Sequence, residues 1–432
     1  MDNLQVQEYL TQGTVLASQN KYEEAMSYFD KAERENPMET DVYLAKGLAY
    51  ANMDELDKAK EQFEKALKIN KSLGVVYYHL GSIAILQEDV ALGFENYNKA
   101  ISNGFDDAQV YYSIGLLHEE SDSYELAIRN YTKAINKDPM RPDIRLRKAQ
   151  IQIQSNLMPE ALQTLDETIL TNPDIFEGYH LKFTLLLELK QFDKAEETLN
   201  LATELFPTDP GFILDRASLL SALDQTDESM SLLDDLENAP GTDDDVRRAI
   251  CLERAKIHAL NEDVDSAITD LNKANSMFED FDSEIMFLLS NCYLAATNFE
   301  KLLEVSSEII EKSEEDYFKN TALYYQPLAL KSLGRMDEAM PLFQEAVSVF
   351  RNQALESPGN LDAYLLRIMC LKEMDQFDKA LELVDYVITL KPENPEPRLI
   401  RVSVLEAMGR IDEAQKEAKI ADAMLPDELR VG

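Results

Sequence analysis

Tryptophan is absent from this 432-residue chain, and cysteine and histidine are nearly so, with three of one and four of the other. Cys251, Cys292 and Cys370 lie far apart with no CxxC pair, which excludes a disulfide framework and a thiolate zinc site. No run approaches the 18 or so apolar residues that would cross a membrane. The opening MDNLQVQEYLTQG has no basic segment followed by an apolar core, so a soluble protein of the reducing cytoplasm is expected. Phosphate-cradling glycine loops, HExxH and GxSxG are all missing, so no enzyme activity, catalytic residue, metal or cofactor is expected. Glycine (14) and proline (15) are few, which favours helix over turn-rich folds.

Positive charge is also in short supply. Acidic side chains outnumber basic ones 81 to 42, a net charge of −39, so nucleic acid and anionic membrane surfaces would be repelled. Such acidity either attracts a basic partner or simply keeps a long exposed chain soluble and monomeric. The composition leaves both readings open.

What the sequence does contain is a period of 34. Ala25, Ala59 and Ala127 fall in register, each followed at four residues by Phe29, Phe63 and Tyr131, and three later by Ala32, Ala66 and Ala134. Upstream, Gly13, Gly47, Gly81 and Gly115 align, each preceded at four residues by Tyr9, Tyr43, Tyr77 and Tyr111. Closing prolines stand at 37, 139, 173, 207, 392 and 426. This pattern resembles the tetratricopeptide repeat family, here in about twelve units. The resemblance implies an all-α solenoid, a right-handed superhelix of antiparallel helix pairs. Each pair is too small to bury a core alone, so stacking of neighbours is obligatory.

Seven units open without a slip at Val6, Thr40, Gly74, Ala108, Pro142, Phe176 and Pro210, and fill residues 1–239. An acidic stretch at 240–247, with Pro240, Gly241 and Asp243 to Asp245, reads as a linker or hinge. Five looser units fill 248–432, opening near Arg248, Ser283, Asn320, Leu361 and Pro395, with longer joints near 311–319 and 351–360. Pro327 interrupts the tenth unit, which suggests a kink. Arg145 and Arg398 replace expected aromatics, so weaker local cores are expected there. The last unit is polar like a terminal cap, and with no separate helix expected after Pro426 the array ends are open to self-association.

In the tetratricopeptide family the first helix of each unit lines a concave groove. By that resemblance Tyr78, His79, Tyr112, Arg147, Gln150 and His180 would follow one another along it, as aromatic anchors around one cation. Tyr324, Tyr325 and Lys331 form a second candidate surface in the tenth unit. His118 and His258 occupy slots where packing or capping suffices as an explanation. The carboxylate-clamp subfamily needs Lys, Arg and Asn at positions that here read Leu10, Thr14, Ala45, Val75 and His79, so that activity is not implied. The resulting expectation is a protein-binding scaffold or adaptor that holds a peptide or helix of another protein, a basic segment among its candidate ligands. The alternative is a peptide-sensing regulator or targeting subunit acting on an enzyme supplied in trans.

Overall fold

The structure, a computed structural model, describes residues 2–424, and within them it is helical throughout, without a strand. The chain divides into two compact units, one ending at Leu185 and one beginning at Leu186. The first unit contains α1 (Asp2–Ser18), α2 (Tyr22–Glu35), α3 (Thr40–Asn52), α4 (Leu56–Ile69), α5 (Gly74–Leu86), α6 (Val90–Ser102), α7 (Ala108–Glu120), α8 (Tyr124–Lys137), α9 (Pro142–Gln154) and α10 (Met158–Thr171). α11 (Phe176–Glu188) contains the point of division.

The second unit continues with α12 (Phe192–Leu205), α13 (Pro210–Ala222), α14 (Thr226–Glu237), α15 (Asp244–Leu260), α16 (Val264–Asn275), α17 (Ser283–Ala295) and α18 (Phe299–Lys312). α19 (Asp316–Ser332), α20 (Met336–Glu356), α21 (Leu361–Glu373), α22 (Phe377–Leu390), α23 (Glu396–Ala407) and α24 (Ile411–Met424) complete it. Within α1 to α10 of the first unit and within α12 to α24 of the second, helices adjacent in sequence pack against one another, and the fold is an all-α solenoid of helical hairpins. Pro426 lies outside the described residues.

A backbone feature marks the period independently of side-chain type. Between the two helices of a hairpin one residue takes the left-handed conformation: Asn20, Asp54, Glu88, Asp122, Asn156, Lys190 and Asp224, with φ between 53° and 60° or, at Glu88, 62°. These positions are 34 apart. The N–H of the following residue then reaches back to the helix, as in Glu55 to Tyr50 (2.9 Å) and Asp89 to Ala84 (2.9 Å), the Schellman pattern that satisfies terminal carbonyls.

The aligned glycines have a steric reason. A Cβ on Gly13, Gly47, Gly81 or Gly115 would collide with the ring of Phe29, Phe63, Tyr97 or Tyr131, sixteen residues on in the second helix. Those rings are buried and fill the space between paired helices. Ala25, Ala59 and Ala127 are fully buried beside them.

Several expectations are corrected by helix boundaries. Of the stretch 240–247, Asp244 to Arg247 already belong to α15, and the Asp243 carboxylate accepts from the Val246 N–H (2.9 Å) as its cap, so the acidic run opens a helix. The insertions around the tenth unit are helical extensions: only 313–315 and 357–360 lie outside helices, because α19 runs for 17 residues and α20 for 21. Pro327 is buried within an uninterrupted α19. Arg145 is buried and donates to the carbonyl of Pro139, the role that Tyr43 fills toward Pro37 (2.9 Å) and Tyr179 toward Pro173 (3.1 Å). Arg398 pairs with Glu417 (2.7 Å), so neither arginine leaves its helix pair without an anchor.

Candidate functional site

The residues singled out in the first unit lie on successive first helices, α5, α7, α9 and α11, but each is engaged locally. Tyr78 is half-buried and stacks on Tyr97, with ring centres 5.7 Å apart. His79 lies nearly flat on Phe63 (5.5 Å, 13°), and burial pushes its imidazole down to about 4, so it is a neutral packing group at physiological pH. Tyr112 leans on Tyr131 (5.8 Å) under the guanidinium of Arg141 (5.7 Å). Arg147 is exposed yet paired: its Nε donates to Glu119 (3.0 Å), which also accepts from the Tyr131 hydroxyl (2.5 Å). Gln150 and His180 are exposed, and His180 stacks on Phe176 (6.0 Å).

The second candidate surface is largely interior. Tyr324 is 4% exposed and sits in a cluster with Phe343 and Phe350, so it fills core rather than offering a face. Tyr325 donates to Asn291 (2.8 Å). Lys331 donates to the backbone carbonyl (2.6 Å) and carboxylate (3.0 Å) of Glu373, which ties α19 to α21.

A site that sequence reasoning missed lies in the second unit, where α19, α21 and α23 are consecutive first helices. They enclose an open cavity of about 300 Å³. Asp316, Asp362 and Glu396 stand on its rim, each in the first turn of its helix. Leu365, Leu366, Met369 and Ile400 form its apolar lining. Tyr317, 57% exposed, forms one wall and rests on Phe287 (5.6 Å) and Phe318 (5.3 Å).

No basic side chain lines this cavity, and no ion pair reaches the three carboxylates among the described residues. Three helix N-termini contribute roughly +0.5 charge each, leaving about −1.5 net against three carboxylates. Desolvation, then the neighbouring Asp362 charge, pushes the Glu396 carboxyl above its usual value. Such a site is chemically suited to a cationic head with an alkyl stem, since the stem meets leucine and methionine while the head meets carboxylates and an aromatic face. The missed signal was one of period: Asp316, in the stretch read as a joint, and Asn320, read as the opening of the tenth unit, are four apart and share a helical face.

Comparison with known proteins agrees with the repeat pattern. Family models described as tetratricopeptide repeat match residues 9–37, 40–73 and 119–182. ER membrane protein complex subunit 2-A of Xenopus laevis is 27% identical over 122 residues, which is 28% of this chain and 39% of that protein; subunit 2 of Xenopus tropicalis matches to the same extent. The chain thus spans well under half the length of the curated relatives it matches. Among solved structures, a tetratricopeptide repeat protein from Parabacteroides merdae is similar with a TM-score of 0.43 and 18% identity, covering 59% of this chain and 98% of that one. YrrB, described as a TPR protein with an unusual peptide-binding site, is similar with a TM-score of 0.36 and 19% identity, covering 43% and 95%. The matching family models show tetratricopeptide repeats at residues 9–37, 40–73 and 119–182, and the 34-residue period with its recurring hairpin turns continues the same helical-repeat pattern beyond them.

Proposed function

We propose that the chain is a non-catalytic interaction scaffold whose first helices bind an extended segment of a partner protein, and that the segment is basic. The observation carrying this reading is the cavity on α19, α21 and α23, with three unpaired carboxylates, an exposed tyrosine, an apolar floor and no cation. An extended peptide laid across consecutive first helices would place an arginine or lysine there, its methylenes covering Leu366 and Met369. The net charge of −39 would steer such a segment toward the molecule and make association depend on salt. In the first unit, Tyr112, Arg147, Gln150 and His180 are proposed to contact a partner through the exposed faces of α7, α9 and α11.

Fluorescence anisotropy with labelled peptides tests this on the full chain. An arginine- and lysine-containing peptide with interspersed leucines should bind, more weakly as salt rises, and its glutamate counterpart should not. Combined Asp316→Asn, Asp362→Asn and Glu396→Gln should abolish most of the binding while circular dichroism stays unchanged. Equal binding of the glutamate peptide, or indifference to the triple substitution, would overturn the reading.

A further inference from the structure

Four buried or partly buried arginines of the second unit have carboxylate partners: Arg254 pairs with Asp234 and with Glu237 (2.6 Å), Arg248 with Asp282, and Arg398 and Arg401 with Glu417 (2.7 and 3.0 Å), while Arg216 donates to the Asn200 amide oxygen (2.7 Å). Arg367 on α21 has no such partner. Its Nε is buried without a hydrogen bond, and no ion pair or hydrogen bond reaches its guanidinium among the described residues. In a chain with 81 acidic side chains against 42 basic ones, leaving a half-buried cation unpaired runs against the supply of partners. A buried charge without a partner is costly unless something from outside supplies one.

The surroundings of Arg367 are those of a receptor. It lines an open cavity of about 570 Å³ between α20, α21 and α22, with Lys379 on the same wall and Tyr386, 48% exposed, as an aromatic side. Val347, Leu371 and Leu383 supply apolar surface. Arg351 is a second unpaired guanidinium close by, and it stands on the extension by which α20 outlasts the 14-residue second helices α2, α4 and α8. Burial first, and then the Arg351 charge, lower the affinity of Arg367 for its proton, the opposite of what an acidic neighbour would do. One carboxylate, Glu382, lines the cavity but is not paired with Arg367, and Asp385 on the same helix is taken by Arg401 (3.2 Å). Among the described residues Lys379 reaches only Gln376 (2.8 Å).

We infer that the cavity between α20, α21 and α22 is a binding site for an oxyanion, a carboxylate or phosphate group, gripped by the planar fork of Arg367 and steered by Arg351 and Lys379. Both groups present the paired oxygens that a guanidinium fork engages bidentately. This site lies against α20 and α22, the second helices of their hairpins, so it is separate from the acidic cavity on α19, α21 and α23 and of opposite charge. It goes beyond the basic-segment reading and does not depend on it.

The test is nuclear magnetic resonance of arginine Nε–Hε groups in the full chain, with the Arg367 signal assigned from Arg367→Lys. Titration with inorganic phosphate and, separately, with sodium acetate should move that signal along a saturating curve. Stronger response to phosphate points to a phosphorylated source, and stronger response to acetate to a carboxylate source. Arg351→Gln, which leaves the fork intact, should weaken either response several-fold. A signal that moves no more with phosphate or acetate than with sodium chloride at equal ionic strength would overturn the assignment, as would a response unaltered in Arg351→Gln.

Discussion

Gly47 on α3 lies directly under the ring of Phe63 on α4, so that the side chain one helix lacks is the space the other fills. Phe63 is fully buried and its other face carries the imidazole of His79. A Cβ at position 47 can be admitted only by moving the ring, and the ring is held on both sides. Gly47→Ala should therefore cost roughly 1–3 kcal/mol. In combination with Phe63→Leu the cost should fall below the sum of the two single changes, because the smaller side chain vacates the contested volume. Urea denaturation of the four proteins measures the coupling; strictly additive effects would show that the two positions do not share that space.

The turns offer an independent test of the backbone. Glu88 holds φ at 62° on the surface, a conformation that costs an L-residue roughly 1–2 kcal/mol, part of which is returned by the lower unfolded-state entropy relative to glycine. Glu88→Gly should stabilise by about 0.5 kcal/mol. At Gly334, φ is 76° with open space around a would-be Cβ, so Gly334→Ala should destabilise by about 1 kcal/mol through conformation alone. Opposite signs in denaturant midpoints would verify the assignment of both turns.

The contrast between these features shows what was legible in the sequence. Gly47, Phe63 and Ala59 are side chains whose volumes are constrained by packing, so the period could be read from residue type. The left-handed turn residues were only partly legible, because five of the seven are Asn or Asp, which favour that conformation, while Glu88 and Lys190 share the backbone angle without that chemistry. The same limit hid the acidic cavity. Its residues Asp316 and Tyr317 lie in an insertion without a counterpart in the period, and only the observation that α19 begins one turn early places them beside Asp362 and Glu396. Tyr324 failed in the opposite direction: helical spacing gave its position on α19, but not that α20 would cover it.

His79 makes one contribution to stability depend on pH. Its pKa falls from 6.5 to about 4 on folding because burial disfavours the imidazolium. The unfolded chain therefore takes up the proton first. The contribution is fully present above pH 6.5 and is lost as pH falls from there toward 4, by about 2 kcal/mol at pH 5. His79→Leu should remove this term, so the stability gap between the two proteins should narrow or reverse between pH 7.5 and pH 5, although carboxylates titrate in both. A constant gap across that range would show that the imidazole accepts a proton in the folded state.

Arg145 tests whether a guanidinium has taken over the work of a phenol. It occupies the place of Tyr43 and Tyr179 in the period and donates to the Pro139 carbonyl as they donate to those of Pro37 and Pro173. Arg145→Tyr should consequently be tolerated within about 1 kcal/mol, since the phenol reaches the same acceptor from the same helix position. Arg145→Leu keeps the apolar bulk but leaves that carbonyl without its donor, and should cost about 1–2 kcal/mol more than the tyrosine. The comparison isolates the hydrogen bond, because both substitutions remove the charge. If leucine and tyrosine are equally stable in urea, the bond to Pro139 contributes nothing and burial of the side chain alone explains the position.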